Sequence, residues 1–272
     1  MSDKLNNIAL VLGGGSLTKN LIEECKKKKR KFIIIALEDY YNITKLYAPN
    51  YKVNNNNLGN IFKILKETNT KEIIFLGNIK KIPLLKYRPN FITLYYLIKI
   101  FVYYYKGDDF LLKKIVKIFM SKGYKIVDSR NYLGRHLASE DYNNLSKFKD
   151  LISLKRIYYY FELAKKIGKK DTGQSIIIID DDIILREDKN GTDFMINKFR
   201  NYKSEKPAFF IKVTKPRQEL KVDLPTIGPN TIEMVVNAGI RGIILEKNKT
   251  YIYNKKKTYK LIKKYNLLYY AI

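Results

Sequence analysis

Lys212, Lys215, Arg217 and Lys221 fall within ten positions, and Asp223 follows close behind them. Cations at that density neutralise a phosphate, and a carboxylate at the end of the run can hold a metal that polarises a phosphoryl group. Pro216, Pro225 and Pro229 punctuate the same stretch. They make 212–229 a stiff loop rather than a helix, and such loops carry function on a rigid scaffold. A solvated loop with a turn aspartate is the competing reading. A second place for phosphate is Gly13-Gly14-Gly15-Ser16, which ends an apolar run and opens a helical one. Glycines there let backbone N–H groups approach an anion at a helix N-terminus. The spacing matches neither the dinucleotide fingerprint nor a P-loop, so a plain tight turn competes. Lys106-Gly107-Asp108-Asp109 and Gly191-Thr192-Asp193, the latter with Glu187 shortly upstream, each precede a helical segment. Asp108 and Asp193 read either as residues of a helix N-terminus or as Mg²⁺ ligands. Asp180-Asp181-Asp182 lies between two strand-like runs and reads as a solvated hairpin turn.

Positioning such residues calls for a sheet whose strand ends present loops. Apolar runs at 8–12, 32–37 and 73–76 read as strands, the last closed by Gly77-Asn78. Helical patterns at 17–29 and 58–68 separate them, and Leu58, Ile61, Phe62 and Leu65 share one face. Helices at 91–105 and 109–120 and a strand at 125–128 follow. This alternation predicts an α/β N-terminal domain with a parallel, Rossmann-like sheet on the nucleotide side, residues 1–130. The polar stretch 129–147 reads as a linker, bounded at 131–149. Residues 150–272 read as a smaller α+β catalytic domain. It has a helix at 151–167 stopped by Gly168, strands at 175–179, 183–186, 209–213 and 242–245, and a helix at 232–238 capped by Gly239.

Composition narrows the chemistry. Hydrophobic residues make up 46% of 272 positions, enough to bury a core. The chain has one Cys and one His, His136. A disulfide framework, a Cys-based zinc cluster and a two-His relay are thereby excluded, which leaves Asp, Glu, Lys and Arg to act. The net charge is +27, carried by 44 Lys and only 9 Arg. Nucleic-acid readers lean on Arg, so the excess reads as Lys loaded onto solvated surface, with no specific nucleic-acid partner. It can still favour anionic lipid. The basic run 26–31 reads as a solvated helix end. The apolar run 8–12 is too short for a signal peptide. The stretch 91–105 contains Lys99 and falls short of the ~20 residues a spanning helix needs. It reads as a buried or interfacial helix, with core favoured over a cover for acyl chains. A cytoplasmic protein is expected.

Asp223-Leu224-Pro225-Thr226-Ile227-Gly228, led in by Lys212, Lys215, Pro216 and Gln218, resembles the signature of one family. It is the non-metallophosphoesterase form of UDP-2,3-diacylglucosamine pyrophosphatase, of lipid A biosynthesis. Gly13-Gly14-Gly15-Ser16-Leu17, Gly77-Asn78, Lys106-Gly107-Asp108-Asp109-x-Leu111-Leu112, Asp171-x-Gly173-Gln174 and Gly191-Thr192-Asp193 are similar to the family in order and spacing. The resemblance implies hydrolysis to UMP and 2,3-diacylglucosamine 1-phosphate (lipid X), with water sent to the sugar-side phosphorus. It implies Mg²⁺ or another divalent cation such as Mn²⁺, and two domains with the substrate between them. Together with the charge pattern it gives the expected site: Asp223, Lys215 and Lys212 catalytic, and Asp223, Asp193 and Asp108 at the metal. Gly13, Gly14, Gly15, Ser16, Gly77, Asn78, Gln174, Thr192, Gln218 and Thr226 are expected to bind substrate. The implied partners are a lipid-linked UDP-sugar, the cytoplasmic face of the inner membrane as a peripheral protein, and a second copy in a homodimer. Thr18 and Thr214 stand where the family commonly has Pro, and Asp180-Asp181 replaces a Glu-Gly pair. These departures leave the charges of the Asp223 loop intact and count against Asp180 as a ligand. A UDP-sugar- or nucleotide-binding protein or transferase, with the same glycine turn but no hydrolysis, is the alternative.

Overall fold

The computed structural model describes residues 7–15, 17–38, 47–77, 88–106, 108–169, 173–216 and 218–272. The chain divides into two compact units, Met1–Leu133 with Glu219–Asp223, and Gly134–Gln218 with Leu224–Ile272. The second, expected to be the smaller, spans nearly as many residues as the first.

The first unit runs β1 (Ile8–Leu12), α1 (Leu17–Lys27), β2 (Phe32–Leu37), β3 (Tyr51–Val53), α2 (Asn60–Glu67), β4 (Glu72–Leu76), α3 (Phe91–Lys106), α4 (Asp108–Ser121), β5 (Lys125–Ile126) and α5 (Arg130–Leu133). Its strands are all parallel, in the order β3-β2-β1-β4-β5. Every residue of β1 is buried. A central parallel strand is covered on both faces, which is why its sequence shows no alternation. Leu21, Ile22 and Cys25 of α1 and Ile61, Ile64 and Leu65 of α2 turn apolar stripes inward. The chain builds outward from β1 through β2 to β3, then returns to the other side of β1 with β4. The point between β1 and β4, at their C-terminal ends, is where such sheets open a crevice for ligands.

The second unit holds α6 (Leu154–Gly168), β6 (Ser175–Ile179), β7 (Asp182–Arg186), α7 (Gly191–Phe199), β8 (Ala208–Lys212), β9 (Thr226–Ile227), α8 (Pro229–Asn237), β10 (Ile240–Leu245), β11 (Tyr251–Ile252), α9 (Lys255–Lys264) and β12 (Leu268–Ala271). Its main sheet is mixed, in the order β12-β10-β8-β6-β7. β8, β10 and β12 are parallel, β6 is antiparallel to β8, and β6 and β7 form a hairpin. Ile177, Phe210 and Ile243 face one core layer, and Ile176, Ile178, Phe209, Ile211 and Ile244 face the other with Ile157, Tyr160 and Ala164 of α6. The hairpin turn is Asp180-Asp181, both at positive φ (46° and 72°). Arg156 holds it, donating to Asp180 Oδ1 at 2.8 Å and Asp181 Oδ1 at 3.0 Å.

Three expectations change. The stretch read as a linker carries α5 and three 3₁₀ turns, and Leu133, Leu137 and Ala138 are buried. Its polar residues have tertiary work: the side-chain oxygens of Asn143 and Asn144 accept from the backbone N–H groups of Ala271 and Tyr269, at 2.7 and 2.8 Å. Pro229 starts α8 rather than ending a loop, because its fixed φ suits the first helical position. The helix at 91–105 is core on one face only, since Phe91, Tyr95, Ile98 and Phe101 are exposed. The basic run is solvated as read, with Lys26 to Lys29 exposed.

Candidate active site

In the first unit, β1 runs straight into Gly13-Gly14-Gly15. The Gly13 N–H donates to the Leu76 carbonyl at 2.9 Å, extending the ladder to the last residue of β4. Gly77 follows at φ +100°, and a Cβ there would lie 2.6 Å from the Gly14 oxygen and 2.8 Å from the Gly13 oxygen. The two loops thus touch backbone to backbone, which only glycine permits. The Thr18 hydroxyl donates to the Gly15 carbonyl at 2.8 Å and fixes the turn from within α1. The result is a helix N-terminus at the C-terminal ends of parallel strands, a setting that attracts anions. Gly13 and Gly77 also line a cavity of about 150 Å³. The rest of its wall is mostly apolar, including Leu58, Phe75, Leu97, Ile100, Leu112 and Val222. Val222 belongs to the 219–223 segment and packs on this unit's core. The N–H groups of Val222 and Asp223 both donate to the Glu219 carbonyl at 3.0 Å, a tight turn that presents the partly buried Asp223.

In the second unit, Lys212 ends β8 and is only 3% exposed. A buried ammonium needs acceptors. Its Nζ donates to Thr192 Oγ1 at 2.6 Å and Ser175 Oγ at 3.2 Å. The Thr192 hydroxyl donates in turn to Glu187 Oε1 at 3.0 Å, and Glu187 Oε2 accepts from the Gln174 backbone at 3.3 Å. Gln218 Nε2 donates to Gln174 Oε1 at 3.4 Å, while Gln218 Oε1 accepts from the Lys215 backbone at 3.1 Å. Gln174, Thr192, Lys212, Lys215 and Gln218, all singled out in the sequence, therefore form one connected group. Gly173 is what allows it: a Cβ there would sit 2.3 Å from the Glu187 carbonyl oxygen. Ser175 carried no signal in the sequence.

A second network was not legible at all. Glu246 follows β10 and is 4% exposed. Its carboxylate accepts from the Thr214 N–H (2.8 Å), the Thr214 hydroxyl (2.6 Å), Lys165 Nζ (3.0 Å) and Lys249 Nζ (2.8 Å). Burial pushes the carboxyl up, but the donors Lys249, Thr214 and Lys165 outweigh it and hold the group below its ordinary range. The network clamps the start of the loop that leads to Asp223. Lys215 and Pro216 then pass close to Gly168, within 3.5 Å of where its Cβ would be.

Among the described residues, Thr226 and Asp193 are not hydrogen-bonded to these groups. Thr226 is exposed in β9, where its hydroxyl donates to the Leu224 carbonyl at 3.2 Å. Asp193 is exposed in the first turn of α7, where a carboxylate suits the helix dipole. Asp108 is the first residue of α4. Its side chain lies outside the described residues, as do Ser16, Asn78, Asp171 and Arg217. Among the described residues no three His, Cys, Asp or Glu side chains group as a metal site. Asp223, partly buried, is a candidate ligand for a divalent cation, since Mg²⁺ is usually bound by one or two carboxylates plus its substrate.

Residues 7–136 match the LpxI N-terminal domain and residues 146–270 match the LpxI C-terminal domain. The chain is 27% identical over 250 residues to the UDP-2,3-diacylglucosamine pyrophosphatase LpxI of Caulobacter vibrioides, covering 89% of each protein. Two domains of one family, matched in order along nearly the whole chain, point to the LpxI family.

Proposed function

We propose that the chain hydrolyses UDP-2,3-diacylglucosamine to UMP and 2,3-diacylglucosamine 1-phosphate, a step of lipid A biosynthesis. The observation that carries this reading is the pairing of a glycine turn suited to an anion with an apolar cavity sharing Gly13 and Gly77. A ligand that suits both has a phosphate close to a long apolar chain. The cavity favours the acyl side of the substrate for the first unit, rather than the nucleotide side that the glycine turn alone suggests. The relative from Caulobacter is named for this substrate and reaction.

In this reading water attacks the sugar-side phosphorus, the bond to the bridging oxygen breaks, and UMP leaves with that oxygen. Lys212 and Lys215 stabilise the charge that builds on the leaving group. Lys212 is suited to the task because Thr192 and Ser175 fix its ammonium in place. Asp223 would hold Mg²⁺ or Mn²⁺ together with the pyrophosphate oxygens, and the cation, when bound, would polarise the phosphoryl group. The substrate is a membrane lipid, so we place the chain at the cytoplasmic face of the inner membrane. Among the described residues no helix is long and apolar enough to cross it. The test is release of UMP from detergent-dispersed UDP-2,3-diacylglucosamine. Binding without UMP release would favour a nucleotide-sugar binding protein instead.

A further inference from the structure

We infer that the outer face of α3 docks this protein onto an anionic lipid bilayer. The inference deepens the reading that the substrate is a membrane lipid, and it rests on a surface that reading does not use. Phe91 is 91% exposed and Ile98 68%, with Leu94, Tyr95 and Phe101 exposed beside them. Spacings of three and four residues put these side chains in one stripe along the helix. Thr93, Tyr96, Leu97 and Ile100, on the other side, line the cavity. An exposed apolar stripe of this length marks an interaction surface.

Charge selects the occupant. Residues 88–125 carry eight Lys or Arg against two acids, Asp108 and Asp109. Lys99 Nζ lies 4.2 Å from the centre of the Tyr95 ring, at the edge of the stripe. Lysines at such an edge reach toward lipid headgroups while their stems and neighbouring tyrosines sit at the interface. At 16 residues, α3 is too short to span and is suited to lying in the interfacial plane. A second copy of this chain would bring the same cations against their own kind, whereas anionic headgroups complement them. Docked this way, a single helix separates the bilayer from the cavity.

The test is flotation of the full chain with vesicles of phosphatidylcholine alone or mixed with phosphatidylglycerol. The parent is expected to float with the anionic vesicles and to be released by salt. Phe91→Glu/Ile98→Glu replaces two solvated side chains that do not line the cavity. It should lower vesicle affinity by about 100-fold or more, as loss of two inserted apolar groups implies. UMP release from detergent-dispersed substrate should stay within about twofold of the parent. A double variant that floats like the parent overturns the inference. So does a parent indifferent to anionic lipid, or a parent dimer in sedimentation velocity that the double variant dissolves. A chain that floats as expected but releases no UMP supports the docking face and overturns the substrate reading alone.

Discussion

Gly77→Ala is the sharpest probe of the first unit's crevice. Two effects add at this position. The residue sits at φ +100°, a conformation that costs a side-chain-bearing residue about 1–3 kcal/mol. The new Cβ also meets the Gly14 oxygen at 2.6 Å and the Gly13 carbonyl carbon at 2.8 Å. These are backbone atoms, so no rotamer change relieves the overlap, and either the turn or the end of β4 must move. Overpacking of this kind costs about a further 1–3 kcal/mol. Gly15 supplies the control, since it lies at φ +113° but a Cβ there meets nothing within 4 Å. Gly15→Ala should carry the conformational cost alone. Urea unfolding of both variants should therefore place Gly77→Ala about 1–3 kcal/mol below Gly15→Ala. The displaced turn should also raise KM for the lipid substrate more in Gly77→Ala. Equal stabilities for the two variants would refute the backbone contact, and with it the shared wall of turn and cavity.

Lys212→Met keeps volume and removes charge. Turnover should fall by about 100-fold or more, and stability should fall by about 1–3 kcal/mol, because the Thr192 hydroxyl and the buried Ser175 hydroxyl lose their donor. A lowered midpoint with normal turnover would make Lys212 a packing residue. Glu246→Gln should destabilise the second unit by about 2–3 kcal/mol, because Lys165 and Lys249 lose a charged partner. The folded carboxyl is held below the 4.5 of the free group, so its contribution is complete above pH 4.5 and is lost as pH falls through the folded value. Denaturation of parent and variant should accordingly differ at neutral pH and converge in acid; a gap that is constant with pH would contradict the assignment.

What the sequence revealed depended on how local each signal was. The glycine turn was visible because Gly13, Gly14 and Gly15 stand together after an apolar strand. The Lys212 loop was visible because its lysines and prolines crowd into a few positions. Glu246 was silent, because its partners Thr214 and Lys165 are 32 and 81 residues away and nothing near Glu246 announces them. The same holds for Ser175, which gains its meaning only when β6 pairs with β8 and sets it opposite Lys212. The helix α9 was hidden by its lysines: only Thr258 and Ile262, four apart, are buried in it. The misread linker shows the reverse error, in which a run of polar residues suggested solvent while Asn143 and Asn144 were serving the backbone of β12. For α3, composition gave an apolar helix but could not say that one face would be left uncovered.

The central claim, hydrolysis at the sugar-side phosphorus with Asp223 in a catalytic role, is tested most directly in ¹⁸O-labelled water. The purified chain is incubated with detergent-dispersed UDP-2,3-diacylglucosamine and Mg²⁺, and both products are weighed by mass spectrometry. The account predicts unlabelled UMP and a 2,3-diacylglucosamine 1-phosphate carrying one ¹⁸O. It also predicts that Asp223→Ala, folded as the parent, slows the reaction by at least about 100-fold, the scale of several kcal/mol in the transition state. Label in UMP would move the attack to the other phosphorus, and parent-like turnover by Asp223→Ala or no UMP at all would contradict the account.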